Sequence, residues 1–234
     1  MDMAGKNHGI VPLGGKFALG KVGFAFSFDA LDTEKNREGE TLNAIRIPGL
    51  GRNLPGSEIT IEFWQNAERA QHQDGLLLSP YDYTHVCRCI AGHPDGFVYF
   101  DFGNNHTDGQ LYYQPPVSIY GGWQHFALVA SQAGNFMKIY RNGKLEAQKL
   151  GMTAFENTNY DLLIGNGFTG LIDEVKIYNR ALSAAEVLSV YDAGSGKVAS
   201  ATSPSEAQVG QRDGDAGDNT ASVPLPASKG RELP

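Results

Sequence analysis

The chain has 234 residues, of which 41% are hydrophobic, 10% aromatic and 19% charged, and its net charge is −7. That is enough apolar material for one large domain with a real core. The acidic balance gives no electrostatic basis for binding nucleic acid or an anionic membrane, and no apolar run is long enough to insert into a bilayer.

The opening stretch, MDMAGKNHGIV, lacks the basic and apolar regions of a signal peptide, so the chain either stays inside the cell or is a piece of a longer secreted protein. From Phe24 onward one unit recurs: a short alternating or apolar run, then a turn. FAFSF, AIRIP, ITIEFW, GLLLS, VCRCI, FVYFDF, QLYYQ, WQHFALVA, FMKIY, YDLLIG and GLIDEVKIY are strand-like and rich in β-branched and aromatic residues. Glycine-rich separators such as HPDG, GNNHTDG and SQAGN divide them. Asn142 and Gly143 carry the two-residue hairpin signal. Many short strands without alternating helices predict an all-β fold, an antiparallel two-sheet β-sandwich of jelly-roll type. One short helix is expected near the end, where Ser183 caps AAEVLSVY and Glu186 completes a capping box. The domain is predicted to span residues 1–192. Residues 193–234 contain no Phe, Tyr or Trp and predict a disordered tail or linker.

Within this frame four groups of residues carry candidate chemistry. Cys87 and Cys89 share one face of a strand, at the limit of disulfide reach, and read as two free, half-buried thiols. With His85 and His93 they write H-x-C-x-C-x3-H, but three ligands in a row on one flat strand do not converge on a zinc ion. In SEITIEFW, Glu58, Thr60, Glu62 and Trp64 alternate with Ile59, Ile61 and Phe63. The alternation predicts the apolar set facing the core, with Thr60, a solvated Glu62 and Trp64 facing out. Trp64 is then placed to stack on a sugar ring, and Tyr81, Tyr83 and Tyr112 in or beside loops suit ligand recognition. In GLIDEVKIY the same rule puts Asp173, Val175 and Ile177 on the core face. A buried Asp173 needs turn amides, an arginine such as Arg180, or a cation.

Residues 170–191, GLIDEVKIYNRALSAAEVLSVY, closely resemble the terminal signature of bacterial laminin-G-like, concanavalin-A-like jelly-roll domains. GKVGFAFSFDA, ITIEFW, GGWQHFALVAS, MKIYRNGKL and YDLLIGNG resemble further motifs of that family in the same order, so the likeness covers roughly residues 7 to 192. Two departures stand out. The family's first strand is missing or replaced by MDMAGK, and Ala30 stands where glycine is usual, before a long loop. The resemblance implies a non-catalytic ligand-recognition module, carbohydrate-binding, in a secreted or cell-surface protein and part of a larger chain. A protein-interaction or adhesion module is the alternative, so the expected partner is a glycan or a cell-surface protein. The resemblance also implies a structural Ca²⁺, with Asp173 and Asp29 as candidate ligands. Laminarinase-like glycosidases share the jelly roll and carry E-x-D-x-E on their catalytic strand. Here Thr60 replaces the central carboxylate, and Glu58 and Glu62 are too far apart along a straight strand for a retaining pair, which leaves a degenerate glycosidase as a second alternative.

Overall fold

The computed structural model describes residues 7–11, 15–29, 44–68, 74–80 and 82–196. In chain order the strands are β1 (Lys16–Leu19), β2 (Phe24–Phe28), β3 (Ile45–Ile47), β4 (Glu58–Ala67), β5 (Asp74–Ser79), β6 (Val86–Ala91) and β7 (Val98–Gly103). They continue with β8 (Gln110–Tyr113), β9 (Gln124–Ser131), β10 (Phe136–Arg141), β11 (Lys144–Leu150), β12 (Asp161–Asn166) and β13 (Gly170–Tyr178), and one helix follows, α1 (Ala184–Ser195). Seven strands form one sheet, in the order β1-β2-β13-β4-β9-β10-β11, and six form the other, in the order β3-β12-β5-β6-β7-β8. Every strand pairing is antiparallel. This is the predicted β-sandwich.

Alternation along each strand builds the core. Ile59, Ile61 and Phe63 of β4, with Phe126 and Leu128 of β9, meet Leu76 and Leu78 of β5 and Phe100 and Phe102 of β7. Cys87 and Cys89 point into the same core and are free and fully buried rather than half-buried, because β6 lies inside its sheet between β5 and β7. Burial pushes the Cys87 thiol up to about 12. The β10–β11 hairpin turns as predicted: Arg141 pairs with Lys144, and Asn142 and Gly143 take φ of 51° and 78°, the pair of positive angles that a two-residue hairpin of this twist requires.

One prediction is reversed. On β4, Glu62 and Trp64 are two residues apart, yet their partners on β13, Lys176 and Asp173, are three apart. The extra residue is a β-bulge, with Glu174 at φ 51°. The bulge shifts the alternation by one. Asp173 therefore lies on the outer face beside Trp64, with Lys176 and Tyr178, and not on the face of Ile177.

Helix α1 covers that outer face. The capping box forms, with Ser183 N–H donating to Glu186 Oε2 (2.8 Å) and Glu186 N–H to Ser183 Oγ (3.3 Å). Leu182 and Val187 pack with Ala127, Val129 and Tyr140 in a second apolar cluster, outside the sandwich. The helix runs to Ser195, past the boundary expected at residue 192. MDMAGK, the loop after Ala30 and residues 197–234 lie outside the described residues. Near the start, Ile10 makes a single antiparallel bridge to Arg46 of β3.

Candidate functional site

The outer face of the seven-stranded sheet gathers most of the sequence-predicted chemistry and covers it. Glu62 is 1% exposed and Trp64 4% exposed, so neither is solvated as alternation predicts. The reason is α1. Tyr191 stacks on the Trp64 indole at 5.6 Å and 23°. Gly194 comes so close that a Cβ there would lie 2.7 Å from Trp64 Nε1. Lys21 Nζ sits 4.6 Å from the Trp64 ring centroid. Thr60, also buried, donates to Arg180 C=O and accepts from Leu182 N–H, both at 2.9 Å, and so fastens the segment that leads into α1.

Under this cover Glu62 is held by neighbours. Tyr178 donates to Oε1 at 2.9 Å and Lys176 Nζ lies 3.2 Å from the same oxygen. His125 Nε2 stands 3.8 Å from Oε2, beyond hydrogen-bond length. Burial pushes the Glu62 carboxyl up, but His125, Lys176 and Tyr178 outweigh it and hold the group below its ordinary value, so it is ionised. Burial and the same carboxylate push the Tyr178 phenol up to about 12 and keep it a donor. A cleft of about 380 Å³ opens beside Trp64 and α1, lined in part by Lys176 and Tyr178, which are already bound to Glu62. Glu58 is engaged separately, accepting from Ser131 Oγ at 2.7 Å.

Asp173 is satisfied by amides. Val22 N–H donates to Oδ2 and Glu174 N–H to Oδ1, each at 2.9 Å. One end of this carboxylate fixes the β1–β2 turn and the other fixes the bulge. These N–H donors point at the oxygens a calcium ion would need, and among the described residues no three His, Cys, Asp or Glu side chains form a group able to hold a metal. Asp29 is exposed at the end of β2. Both oxygens of the Asp173 carboxylate are thus already engaged by backbone amides.

The outer face of the six-stranded sheet differs. Register places Arg46, Leu163, Leu77, Arg88, Asp101 and Gln110 in one row across all six strands. Asp101 is fully buried. Gln110 Nε2 donates to its Oδ1 at 3.0 Å, and Arg88 Nη1 lies 3.6 Å from Oδ2. Burial raises the Asp101 pKa against both partners. One step along the strands, Tyr99 pairs with Tyr112. The Tyr112 ring lies 5.6 Å from both Tyr99 and Phe97, and Tyr112 is 54% exposed. Asp95 in the β6–β7 turn fixes the patch: it accepts from Tyr99 O–H at 2.5 Å and from Phe97 N–H at 2.9 Å. His93 closes it, 5.3 Å from the Tyr99 ring. The result is an exposed aromatic surface, rigidly backed, beside a row of hydrogen-bonding groups.

Of the predicted ligand residues only Tyr112 belongs to this surface. Tyr83 is exposed but stands at the other end of β6, against His106, and Tyr81 lies outside the described residues. Sequence reasoning missed Phe97, Tyr99, Arg88 and Gln110. The alternation of FVYFDF and VCRCI against their apolar partners carried the signal, since it turns Tyr99 and Arg88 outward.

Comparison with known proteins bears on the fold. A family model described as the concanavalin A-like lectin/glucanases superfamily matches residues 39–188. No curated protein sequence matches the chain. Similar solved structures include the binding domain of Paraclostridial Mosquitocidal Protein 1, at TM-score 0.61 and 15% identity over 80% of this chain and 47% of that one. Domain 4 of AbnA, an extracellular arabinanase from Geobacillus stearothermophilus, solved with arabinotriose, matches at TM-score 0.56 and 21% identity over 75% of this chain and 80% of that one. The binding domain of Botulinum neurotoxin DC, solved with rat synaptotagmin II, matches at TM-score 0.55 and 13% identity over 77% and 45%. The chain spans about half the length of the two toxin domains, and at these identities the likeness is one of fold.

Proposed function

The chain belongs to the concanavalin A-like lectin/glucanases superfamily, and from that premise we propose that it is a non-catalytic, carbohydrate-binding module of a secreted or cell-surface protein. The observation that carries this reading is Tyr112, a half-exposed ring backed by Tyr99 and Phe97 beside Arg88 and Gln110. Apolar ring faces stack on sugar C–H faces, and adjacent donors and acceptors take the hydroxyls. The arabinotriose complex of AbnA domain 4 supports the ligand class by analogy of fold. The non-catalytic reading rests on Glu58 and Glu62, which lie on the other sheet, with Glu62 beneath α1 and already holding Lys176 and Tyr178.

A glycan array followed by calorimetry on the best oligosaccharide tests this. Tyr112→Ala is expected to weaken binding about tenfold or more, roughly 1.4 kcal/mol. Absence of binding to every glycan would count against the module reading and favour a protein partner, for which the neurotoxin domain bound to synaptotagmin is the structural precedent. Release of reducing sugar from a β-glucan, abolished by Glu62→Gln, would instead restore the glycosidase alternative. The parent reading frame, inspected for a leader and neighbouring domains, tests the extracellular context.

A further inference from the structure

Asp101 sits where an apolar side chain would be more stable. On β7 its neighbours Phe100 and Phe102 enter the core, so its own side chain turns to the outer face of the six-stranded sheet. There it is flanked by Arg88 on β6 and Gln110 on β8 and is fully buried. Gln110 Nε2 donates to Oδ1 at 3.0 Å. Oδ2 has no hydrogen bond, and Arg88 Nη1 stands 3.6 Å from it, beyond hydrogen-bond length. The Asn105 side chain also faces the carboxylate. Burial outweighs Gln110, Arg88 and Asn105 and holds the carboxyl above its ordinary value. A half-satisfied buried carboxylate destabilises a fold that an apolar residue of similar size would not. Such groups gather at functional sites.

The function of this carboxylate lies in what it does to its neighbours. Asp101 is 0% exposed, so it cannot itself reach a ligand. Arg88 keeps 22% of its side chain in water, and Gln110 is half-buried. An ionised carboxylate accepts on both oxygens and donates on neither. It therefore decides which end of the Gln110 amide faces inward: Nε2 is given to Oδ1, and Oε1 turns away as an acceptor. On its other side it opposes the charge of the Arg88 guanidinium. Two residues along the strands, Ile90, Tyr99 and Tyr112 form the next row on the same face. Beside the Tyr112 ring the surface thus offers donors from Arg88, whose charge is already answered, and an acceptor from Gln110. We propose that Asp101 is the positioning residue of this surface: by holding Gln110 and neutralising Arg88 it selects the hydroxyls of a neutral oligosaccharide over a carboxylated one. The proposal rests on the reading of the Tyr112 surface as a sugar site.

Calorimetry of the full chain with neutral trisaccharides (arabinotriose, cellotriose, laminaritriose and mannotriose) and with acidic trigalacturonate tests it. The wild type is expected to bind at least one neutral sugar and to prefer it to trigalacturonate by about tenfold or more. In Asp101→Asn the amide cannot accept on both sides, so Gln110 or Arg88 loses its orientation and the Arg88 charge stands uncancelled. That variant is expected to be at least as stable as the wild type in urea and to bind the preferred neutral sugar about tenfold more weakly. Its preference over trigalacturonate should narrow or reverse, a change that a merely structural aspartate would not produce. Gln110→Ala, on the end strand of its sheet where water can replace the lost amide, is expected to keep the fold and lose about tenfold in neutral-sugar affinity. Failure of the wild type to bind any of these sugars would remove the sugar reading and this proposal with it. With neutral binding present and weakened by Tyr112→Ala, four results would each overturn the positioning role alone: a wild type that prefers trigalacturonate, an Asp101→Asn variant that is less stable, an Asp101→Asn variant with unchanged affinity or preference, or a Gln110→Ala variant that binds as the wild type does.

Discussion

Trp64 and Tyr112 occupy equivalent places on opposite sides of the sandwich. Each is an aromatic side chain on an outward-facing strand position, and each is a candidate for stacking on a sugar. One is buried and the other is half in water. The difference is made far from either residue, by α1, which crosses the seven-stranded sheet and has no counterpart among the described residues on the other sheet. A strand's alternation says which side chains leave the core; it does not say whether a later segment of the chain will cover them.

Breaking the covered side should cost the most. Trp64→Ala removes the surface on which Tyr191 and Gly194 rest and is expected to lower stability by about 3–5 kcal/mol in urea unfolding, with oligosaccharide affinity per folded molecule unchanged. Glu62→Gln on the same side should cost about 2 kcal/mol near neutral pH. Its folded pKa lies below its ordinary value of 4.5, so its contribution is fully present above that value and is lost as pH falls through the folded pKa. The wild type should therefore lose stability on acidification, and the variant's profile should be flatter. Tyr112→Ala inverts the pattern: affinity falls about tenfold while stability stays within about 0.5 kcal/mol. An equal loss of stability in the Trp64 and Tyr112 variants would dissolve the contrast.

Asp101 sharpens it from the other direction. Its pKa is raised, so the ionised form is the costly one above the folded pKa, and the cost disappears as pH falls below the ordinary 3.8. Asp101→Asn is expected to raise stability by about 1 kcal/mol at neutral pH, converging with the wild type in acid. The smallest expected effect is that of a chelator. With Asp173 bound by the Val22 and Glu174 amides, EDTA should leave the Tm unchanged, and a fall would revive the calcium site.

The strands, the Asn142–Gly143 hairpin and the Ser183 cap were legible in the sequence because each is written in adjacent residues. Asp173 was not, because a single αL residue, Glu174, reverses the side on which everything before it falls, and no residue type there announces a bulge. Glu62 and Trp64 were misplaced for the reason already given: their cover comes from residues more than a hundred positions later. Tyr112 was legible as an aromatic residue beside a loop, but its neighbours on the surface were not. Phe97, Tyr99 and Arg88 each read as ordinary strand positions until the register of β6, β7 and β8 brought them together.

Strand β13 lies between β2 and β4, so among the described residues the β1–β2 hairpin joins the sheet only through residues 170–178. During synthesis that hairpin must wait, with Phe17, Leu19 and Phe24 unattached, until nearly the whole domain has been made. Pairings this distant in sequence form slowly, and an unattached apolar hairpin is exposed to association throughout the delay. A truncation before β13 would release the hairpin and uncover Trp64 together, and the same nine residues therefore set both the pace of folding and the last chance to misassemble.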